Sequence, residues 1–509
     1  MDIEPPRLSH RQVNLVFAGL MVALLLAALD QTIVSTALPT IVGDLRGVEH
    51  IGWVVTAYLL ASTIGLPIYG KLGDLIGRKV VFQSAIAIFL VGSVLCGLAR
   101  NMPELIGFRA LQGLGGGGLM IGVQAIVADL VSPRERGRYT GIIGAVWGLS
   151  SVAGPLIGGF LTESADWRWC FYVNLPLGLF ALVLTAVVLK LPRPRSRPRL
   201  DVLGTVLLAG TSACVVLVTS WGGTEYAWGS APIVSLAVLA VVLAVAFVFA
   251  ERRAAEPIIP LHLFRQNLFA VPAAISVFVG LGMFAAVAYL PTFLQMVNGA
   301  SPTQSGLLML PMVAGMTLTS IGSGRIIAAT GRYRIFPILG TGLLTAGMVL
   351  LSRMTADSSM VLNSVYMFVT GLGLGMMMQT LVLIVQNAVE YRDVGAATSA
   401  INYFRQTGAS LGTSLVGAIF IHRLTTELAA SGARLPVRGV SSITPQMVHQ
   451  LPPPVRSAVA HAYAAALPPI FLYLAPIVAV GFVLAFFVKE IPLSERLAAP
   501  SPGVAAHSR

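Results

Sequence analysis

Charged side chains are scarce in this chain of 509 residues. Asp, Glu, Lys and Arg together make up 11% of it, whereas a soluble domain carries about 25%. Cysteine is rarer still, and the spacing of the three cysteines suits neither a metal site nor a disulfide framework. Since 56% of the residues are hydrophobic, the composition excludes one large soluble core and predicts a polytopic membrane protein.

The hydrophobic residues form long runs that short polar turns separate. Each run is about 20 residues long, which suits a transmembrane helix, whereas the strands of a membrane barrel need only about 10 residues of alternating polarity. We find no cleavable signal peptide, because the first run starts near Asn14 and is longer than a signal sequence requires. Fourteen spans are predicted, at 14–38, 51–69, 80–99, 104–128, 138–161, 171–190, 202–221, 232–250, 268–296, 305–323, 335–352, 360–389, 396–420 and 468–488.

The net charge of +12 invites an interpretation as nucleic-acid binding, but the placement of the basic residues argues against it. Most of the 33 lysines and arginines fall in alternate loops, which the positive-inside rule assigns to the cytoplasm. Both termini are therefore predicted to be cytoplasmic, in a multi-pass protein of the cytoplasmic (plasma) membrane. The basic stretch at 190–199 becomes an inner loop facing anionic lipid, and no nucleic-acid partner is expected.

Pairs of glycines recur at a nearly constant offset along the chain, which indicates duplication of a six-span unit. The recurring pairs are Gly70 and Gly77 with Gly324 and Gly331, and Gly137 and Gly154 with Gly395 and Gly412. The predicted organisation is an N-terminal half at 1–195, a two-helix insert at 196–256 and a C-terminal half at 257–490. An irregular or partly helical outer loop is expected at 422–467, and a disordered cytoplasmic tail at 491–509.

Asp30 is an acid inside an almost unbroken apolar run. A carboxylate in hydrocarbon costs on the order of 3 kcal/mol, so chains keep one when it pairs with a cation or carries a proton. Arg109, in the fourth predicted span, is the expected partner, because helix rise places both residues in the outer half of the membrane. Two alternatives stay open: a permanent structural pair, or an arginine that only bonds backbone carbonyls.

The predicted inner loop between the second and third spans reads Gly70-Lys-Leu-Gly-Asp74-Leu-Ile-Gly77-Arg78-Lys79. Its glycines permit a tight turn and close helix approach, and Asp74 is favoured near a helix N-terminus. Arg78 is expected to reach Asp129 and to form a latch on the inner side. This loop resembles the signature loop of the major facilitator superfamily, although Ala328 replaces the acid in the second-half copy.

Further segments resemble one branch of that superfamily, the fourteen-span drug:proton antiporters. They are the Asp30 segment, Trp167-Arg-Trp169, Asn174-Leu-Pro176 and Phe404-Arg405-Gln406. The Arg109 segment resembles the intramembrane arginine motif of the superfamily, which is strongest in its proton-coupled members. A run of small residues in the fifth span resembles the antiporter signature, with generic helix packing as the alternative. Its members are Gly141, Gly154, Pro155, Gly158 and Gly159.

The resemblance implies an all-α polytopic membrane protein with the major facilitator fold, built from two six-helix halves and two inserted helices. It also implies a proton-coupled antiporter that exports drugs, dyes or other lipophilic molecules, with Asp30 and Arg109 coupling proton to substrate. No enzyme signature is found in the sequence, and neither cofactor nor metal is expected, because the proton gradient drives transport. The expected partners are small molecules, protons and the bilayer, and the expected state is a monomer.

Aromatic, methionine and amide side chains on the predicted inward faces suit a cavity between the halves. The candidates are Gln31, Trp53, Tyr58, Gln112, Trp147, Phe284, Tyr289, Met377, Gln379, Asn402, Tyr403, Arg405 and Gln406. Because Asp30 is the one acid predicted deep in a span, a neutral or monocationic substrate is expected. Two other functions stay open: a dedicated exporter of one metabolite, siderophore or lipid, and a non-transporting membrane sensor or scaffold.

Overall fold

The computed structural model describes residues 10–45, 50–189, 191, 201–223, 225–430, 447–448 and 451–493. These residues form helices that short turns connect, with two short 3₁₀ segments at Leu261–Arg265 and Tyr391–Asp393. The helices are α1 (His10–Leu45), α2 (Ile51–Ile76), α3 (Arg78–Leu98), α4 (Met102–Leu130), α5 (Pro133–Ser164), α6 (Trp169–Tyr172), α7 (Asn174–Val188), α8 (Val202–Trp221), α9 (Ala231–Glu251), α10 (Asn267–Met296), α11 (Pro302–Leu308), α12 (Leu310–Thr330), α13 (Ile335–Leu351), α14 (Met360–Ala388), α15 (Val394–Ala430), α16 (Pro453–Ala466) and α17 (Pro468–Ala485).

The predicted helical fold class is confirmed. Within the described residues, twelve segments are long and apolar enough to cross a membrane. The predicted span at 335–352 corresponds to α13, a shorter apolar helix. The span at 396–420 lies within α15, which is outside the twelve and contains the buried Arg405. Two predicted spans are interrupted, since α6 and α7 meet at Val173 and α11 and α12 meet at Met309.

Several helices begin at a side chain that accepts a hydrogen bond from the first turn. Asn101 caps α4, Ser132 caps α5 and Ser359 caps α14. Ser301 and Gln304 form a reciprocal capping box at the start of α11. These bonds satisfy backbone donors that have no partner within the helix, so polar residues in the turns define where these capped helices start.

Helices α1–α7 and α10–α17 form two halves, each with its own buried apolar clusters. The halves meet where α5 packs against α12 and α14, and where α2 packs against α15. The remaining helices, α8 and α9, form a hairpin in which α8 contacts both α2 and α15. Only 11% of the apolar window of α9 is buried, against 78% for α14, so α9 lies at the periphery.

The halves approach most closely at the end of the bundle that contains Gly70–Lys79, here called the latch end. A Cβ atom on Gly141 of α5 would lie 2.6 Å from the carbonyl oxygen of Ser320 on α12. A Cβ on Gly70 of α2 would lie equally close, at 2.6 Å, to the carbonyl oxygen of Gly395 on α15. Backbones touch at both contacts, so the latch end is closed.

The predicted outer loop at 422–467 is partly helical where it is described. Helix α15 continues to Ala430, and α16 covers Pro453–Ala466. The basic stretch at 190–199, apart from Leu191, lies outside the described residues, as does the predicted tail beyond Leu493.

Candidate functional site

Asp30 is completely buried in the first half, at the centre of a hydrogen-bonded network. Nη1 of Arg109 donates to Asp30 Oδ2 at 2.5 Å, so the ion pair that the sequence predicts is present. The amides of Gln112 and Asn174 donate to Asp30 Oδ1 at 2.7 Å and 2.9 Å. Three donors from two further helices thus occupy both oxygens of the carboxylate.

Arg109 has partners beyond Asp30. It donates to Gln112 Oε1 at 2.7 Å and, through Nε, to the carbonyl oxygen of Val54 at 3.3 Å. Its guanidinium carbon lies 4.3 Å from the centre of the Tyr58 ring, within range of a cation–π interaction. The arginine thus connects α1 and α4 to α2.

Two members of this network were not among the predicted site residues. Ser93 Oγ accepts from the amides of Gln112 at 2.6 Å and Asn174 at 3.0 Å. Asn174 lies in a segment that the sequence marks as a family motif, but nothing in the spacing shows that its amide reaches Asp30. Ser93, one of two serines in the apolar run of α3, gives still less signal.

A cavity of about 370 Å³ lies between the halves, towards the end opposite the latch end. Helices α2, α8, α10 and α15 line it, and the candidates Phe284, Tyr289 and Gln406 face it. The described lining residues include none with a charged side chain. Val55 and Thr56 also line the cavity, directly after the residue whose carbonyl holds Arg109.

Four other candidates for the substrate cavity are not among its lining residues. Trp53 packs edge-on against Trp221 of α8, with ring centres 5.4 Å apart. The Tyr403 hydroxyl shares a hydrogen bond of 2.9 Å with Ser212, which lines the cavity. Gln31, next to Asp30, is half-buried. Met377 instead lies in the core of the second half against Gly340 of α13.

Three candidates have buried polar atoms without a hydrogen-bond partner among the described residues. They are the Tyr58 hydroxyl, the Trp147 indole nitrogen and both side-chain polar atoms of Gln379. Gln379 on α14 lies beside Gly144 of α5, one helical turn before Trp147. Buried polar groups are normally paired, so the Trp147 and Gln379 atoms, on the helices α5 and α14 that pack together, have hydrogen-bonding capacity that the described residues do not use.

Asn402 and Arg405 belong to a second buried network, which crosses between the halves. Asn402 donates to Oε1 of Gln124 on α4 at 2.7 Å, and Arg405 donates to Asn402 and to the Met378 carbonyl. Gln386 also donates to the Gln124 carbonyl, at 3.3 Å. No described carboxylate pairs with Arg405, so this half has no counterpart of the Asp30–Arg109 pair.

The latch residues form the cluster that the loop predicts. Arg78 donates to Asp129 at 2.5 Å and to Asp74 at 3.0 Å. Lys79 bonds the carbonyl oxygen of Ala186 in α7 at 2.7 Å. The Arg78 guanidinium also lies 5.5 Å from the centre of the Tyr391 ring. Burial and the neighbouring Asp129 raise the pKa of the Tyr391 hydroxyl, so it stays neutral.

Asp74 crosses to the other half. Its oxygens accept from the backbone amides of Gly395 at 3.2 Å and Ala396 at 2.9 Å, in the first turn of α15. A carboxylate at a helix N-terminus is stabilised by the helix dipole. The second half therefore meets the latch through a helix end rather than through an acid of its own.

Arg134 and Arg136 were not predicted, yet they also cross between the halves. Arg134 donates to the carbonyls of Ala328 and Ala329 near the end of α12, at 3.0 Å and 2.9 Å. Arg136 is buried and bonds the carbonyls of Ala128 and Gln386, at 2.6 Å and 3.5 Å. These arginines thus place positive charge near the C-termini of α12 and α14, whereas Asp74 places negative charge at the N-terminus of α15. The helix dipole favours both placements.

The small residues of α5 pack on two different helices. Gly141 contacts α12 in the other half, whereas Gly154 and Gly158 pack on α1 at Thr32 and Ile33, just after Asp30. Pro155 lies inside α5, and the Gly159 position is open, 3.8 Å from its one neighbour. Helix α5 thus runs from the closed latch end to the helix that carries Asp30.

No group of His, Cys, Asp and Glu side chains that could hold a metal ion occurs in the described residues. The three cysteines are buried and unpaired.

The sequence matches the model of the Major Facilitator Superfamily over residues 20–413. It is 43% identical to an uncharacterized MFS-type transporter of Mycobacterium tuberculosis (strain ATCC 25618 / H37Rv), over 96% of this chain and 71% of that protein. It is 36% identical to the multidrug transporter protein MdtP of Bacillus subtilis (strain 168), over 95% and 94%. The fold is similar to the human organic anion transporter MFSD10, with a TM-score of 0.63, 15% identity and coverage of 95% and 100%.

Proposed function

Because the chain belongs to the major facilitator superfamily, a family of membrane transporters, we propose that it exports lipophilic small molecules in exchange for protons. The observation that carries the proposal is Asp30, a fully buried carboxylate held by a cation and two amides. Transport follows alternating access across the cytoplasmic membrane, with both termini in the cytoplasm and the latch end facing inward.

Proton binding changes the contacts of Asp30. A protonated carboxyl no longer attracts Arg109, so the guanidinium keeps only Gln112, the Val54 carbonyl and the Tyr58 ring. Two of these groups belong to α2, which also forms part of the cavity wall. When a proton from outside binds Asp30, the change in the contacts between Arg109 and α2 therefore affects the cavity. Substrate and proton compete through this helix.

The cavity chemistry supports a lipophilic cargo. Its described lining is apolar and hydroxylated without charge, which suits neutral or monocationic molecules with few hydrogen-bond requirements. The multidrug transporter name belongs to the relative in Bacillus subtilis, and it favours a broad range of such substrates over one dedicated metabolite.

The test is proton-driven transport in reconstituted vesicles. Asp30→Asn should insert normally yet fail to move dye or drug uphill under an imposed pH difference. Asp44→Asn is the matched control, because Asp44 is an exposed carboxylate at the other end of the same helix, and it should transport like the wild type. Uphill, pH-driven transport by Asp30→Asn at the wild-type rate would remove Asp30 from the mechanism. A dye and drug panel separates a multidrug exporter from a dedicated one.

A further inference from the structure

The hairpin of α8 and α9 ends in two carboxylates at the latch end. Asp201 precedes the first residue of α8, and Glu251 is the last residue of α9. Glu251 is only 3% exposed, which is rare for a glutamate that forms no ion pair among the described residues. Neither residue takes part in the Asp30 network or in the latch.

The two carboxylates flank the same glycine. Asp201 Oδ1 accepts from the Gly204 amide at 2.8 Å, and Glu251 Oε1 accepts from the Ile258 amide at 3.1 Å. A Cβ atom on Gly204 would lie 3.0 Å from Glu251 Oε1 and would clash with Asp201 Oδ2. Only a residue without a side chain fits between the two acids.

One carboxylate oxygen of each acid makes no hydrogen bond to a described residue. Asp201 Oδ2 and Glu251 Oε2 are buried and have no hydrogen-bond partner among the described residues. Unpaired buried acceptors are costly, and a proton on one of the two acids supplies a donor where both acids flank Gly204.

Among the described residues, the neighbouring charged groups do not supply a donor to these two oxygens. The charged groups that act on Glu251 are Asp201 and Lys71 of α2. Lys71 Nζ bonds Glu256 at 2.6 Å, in the turn that follows α9. Arg252 and Arg253, next along the chain, are exposed. Because both acids flank Gly204, ionising both would bring like charges together beside one glycine.

We propose that Glu251 and Asp201 share one proton and form a second proton-binding site, separate from Asp30. The proton comes from water at the latch end and returns there, without any change in other bonds. While it is bound, it bridges the ends of α8 and α9. When it leaves, the two like charges repel each other, and Glu251 competes with Glu256 for Lys71, which anchors the hairpin to α2.

The experiment is infrared spectroscopy of the full-length protein in lipid, as a difference between wild type and variants at neutral pH. The wild type should show the absorption of one protonated carboxyl group that Glu251→Gln removes. Asp201→Asn should also remove it, because Glu251 then ionises beside an amide. Glu225→Gln, at an exposed position in the turn between α8 and α9, is the control and should keep the band, and Asp30→Asn identifies any contribution from Asp30.

Absence of a protonated-carboxyl difference between wild type and Glu251→Gln at neutral pH would overturn the proposal. If Glu251→Gln does not fold, the wild type and Asp201→Asn give the same comparison. Sodium or potassium ions that raise the wild-type melting temperature, but not that of Glu251→Gln, would show a metal cation in place of the proton and would also overturn it.

Discussion

At the scale of single residues, the Asp30 network shows how a buried charge is kept in an apolar helix. Both of its oxygens are occupied, and the one cation in the group bonds the acid, an amide and a backbone carbonyl. Removing one partner of such a pair costs more than removing both, because the remaining charge stays buried and uncompensated.

We expect Arg109→Gln to lower the free energy of unfolding by about 3–5 kcal/mol, the range for a broken buried ion pair. The double variant Asp30→Asn/Arg109→Gln should recover most of that loss, since no unpaired charge remains. Denaturant titration in micelles measures both. Arg100→Gln, at an exposed arginine in the turn before α4, is the control. Additive effects of the two substitutions would contradict the pairing.

The partners of Asp30 were predictable only in part. The pairing with Arg109 follows from charge and depth, because a buried acid needs a cation and helix rise places both residues in the outer half of the membrane. The roles of Ser93 and Asn174 do not follow, since an uncharged side chain gives no electrostatic reason to choose its partner. Arg134 and Arg136 were missed for a related reason: they bond backbone carbonyls, which every residue has.

At the scale of helices, α2 and α15 carry more than one part of the transport machinery. Helix α2 lines the cavity, accepts from Arg109 and ends in the latch acid Asp74, while α15 lines the cavity and begins at the two amides that Asp74 binds. Because a helix is stiff along its axis, a shift at one of these points moves the others. The helices were predictable from the apolar runs, and the recurring glycines predict two halves. That α2 and α15 each take part in both the cavity and the latch depends instead on packing between the halves.

The close approach of α5 and α12 gives a prediction with a matched control. In Gly141→Ala the new methyl group would meet the Ser320 carbonyl at 2.6 Å, so we expect a lower melting temperature and slower transport. Gly322→Ala, on α12 itself, meets nothing within 4 Å and should be neutral or stabilising by about 0.4–1 kcal/mol. Equal effects of both substitutions would mean that helix propensity, not contact between the halves, decides the outcome.

At the scale of the whole molecule, the structure is asymmetric between its two ends. Glycine contacts and charged side chains close the latch end, whereas the cavity lies towards the opposite end. Most of the charged side chains at the latch end belong to the first half, and they bond backbone groups at helix termini of the second half. In the proposed alternating-access cycle, these contacts between the halves set the balance between molecules closed and molecules open at the latch end.

Asp74→Ala should shift that balance towards opening at the latch end. Loss of a helix cap costs about 1 kcal/mol, which corresponds to a roughly fivefold change in the ratio of closed to open molecules. Electron spin resonance distances between labels at the exposed positions Arg138 and Arg332 measure this ratio. Asp357→Ala, in an exposed turn at the opposite end, should leave it unchanged. An unaltered distance distribution in Asp74→Ala would show that the cap does not contribute.

Because Asp74 bonds the first turn of α15, water has to enter this contact when the halves separate. Once the carboxylate withdraws, the amides of Gly395 and Ala396 have no acceptor, and backbone donors rarely stay unsatisfied. Water must take the place of the acid as the gap forms. Osmolytes that lower water activity should therefore hold the transporter shut on this side.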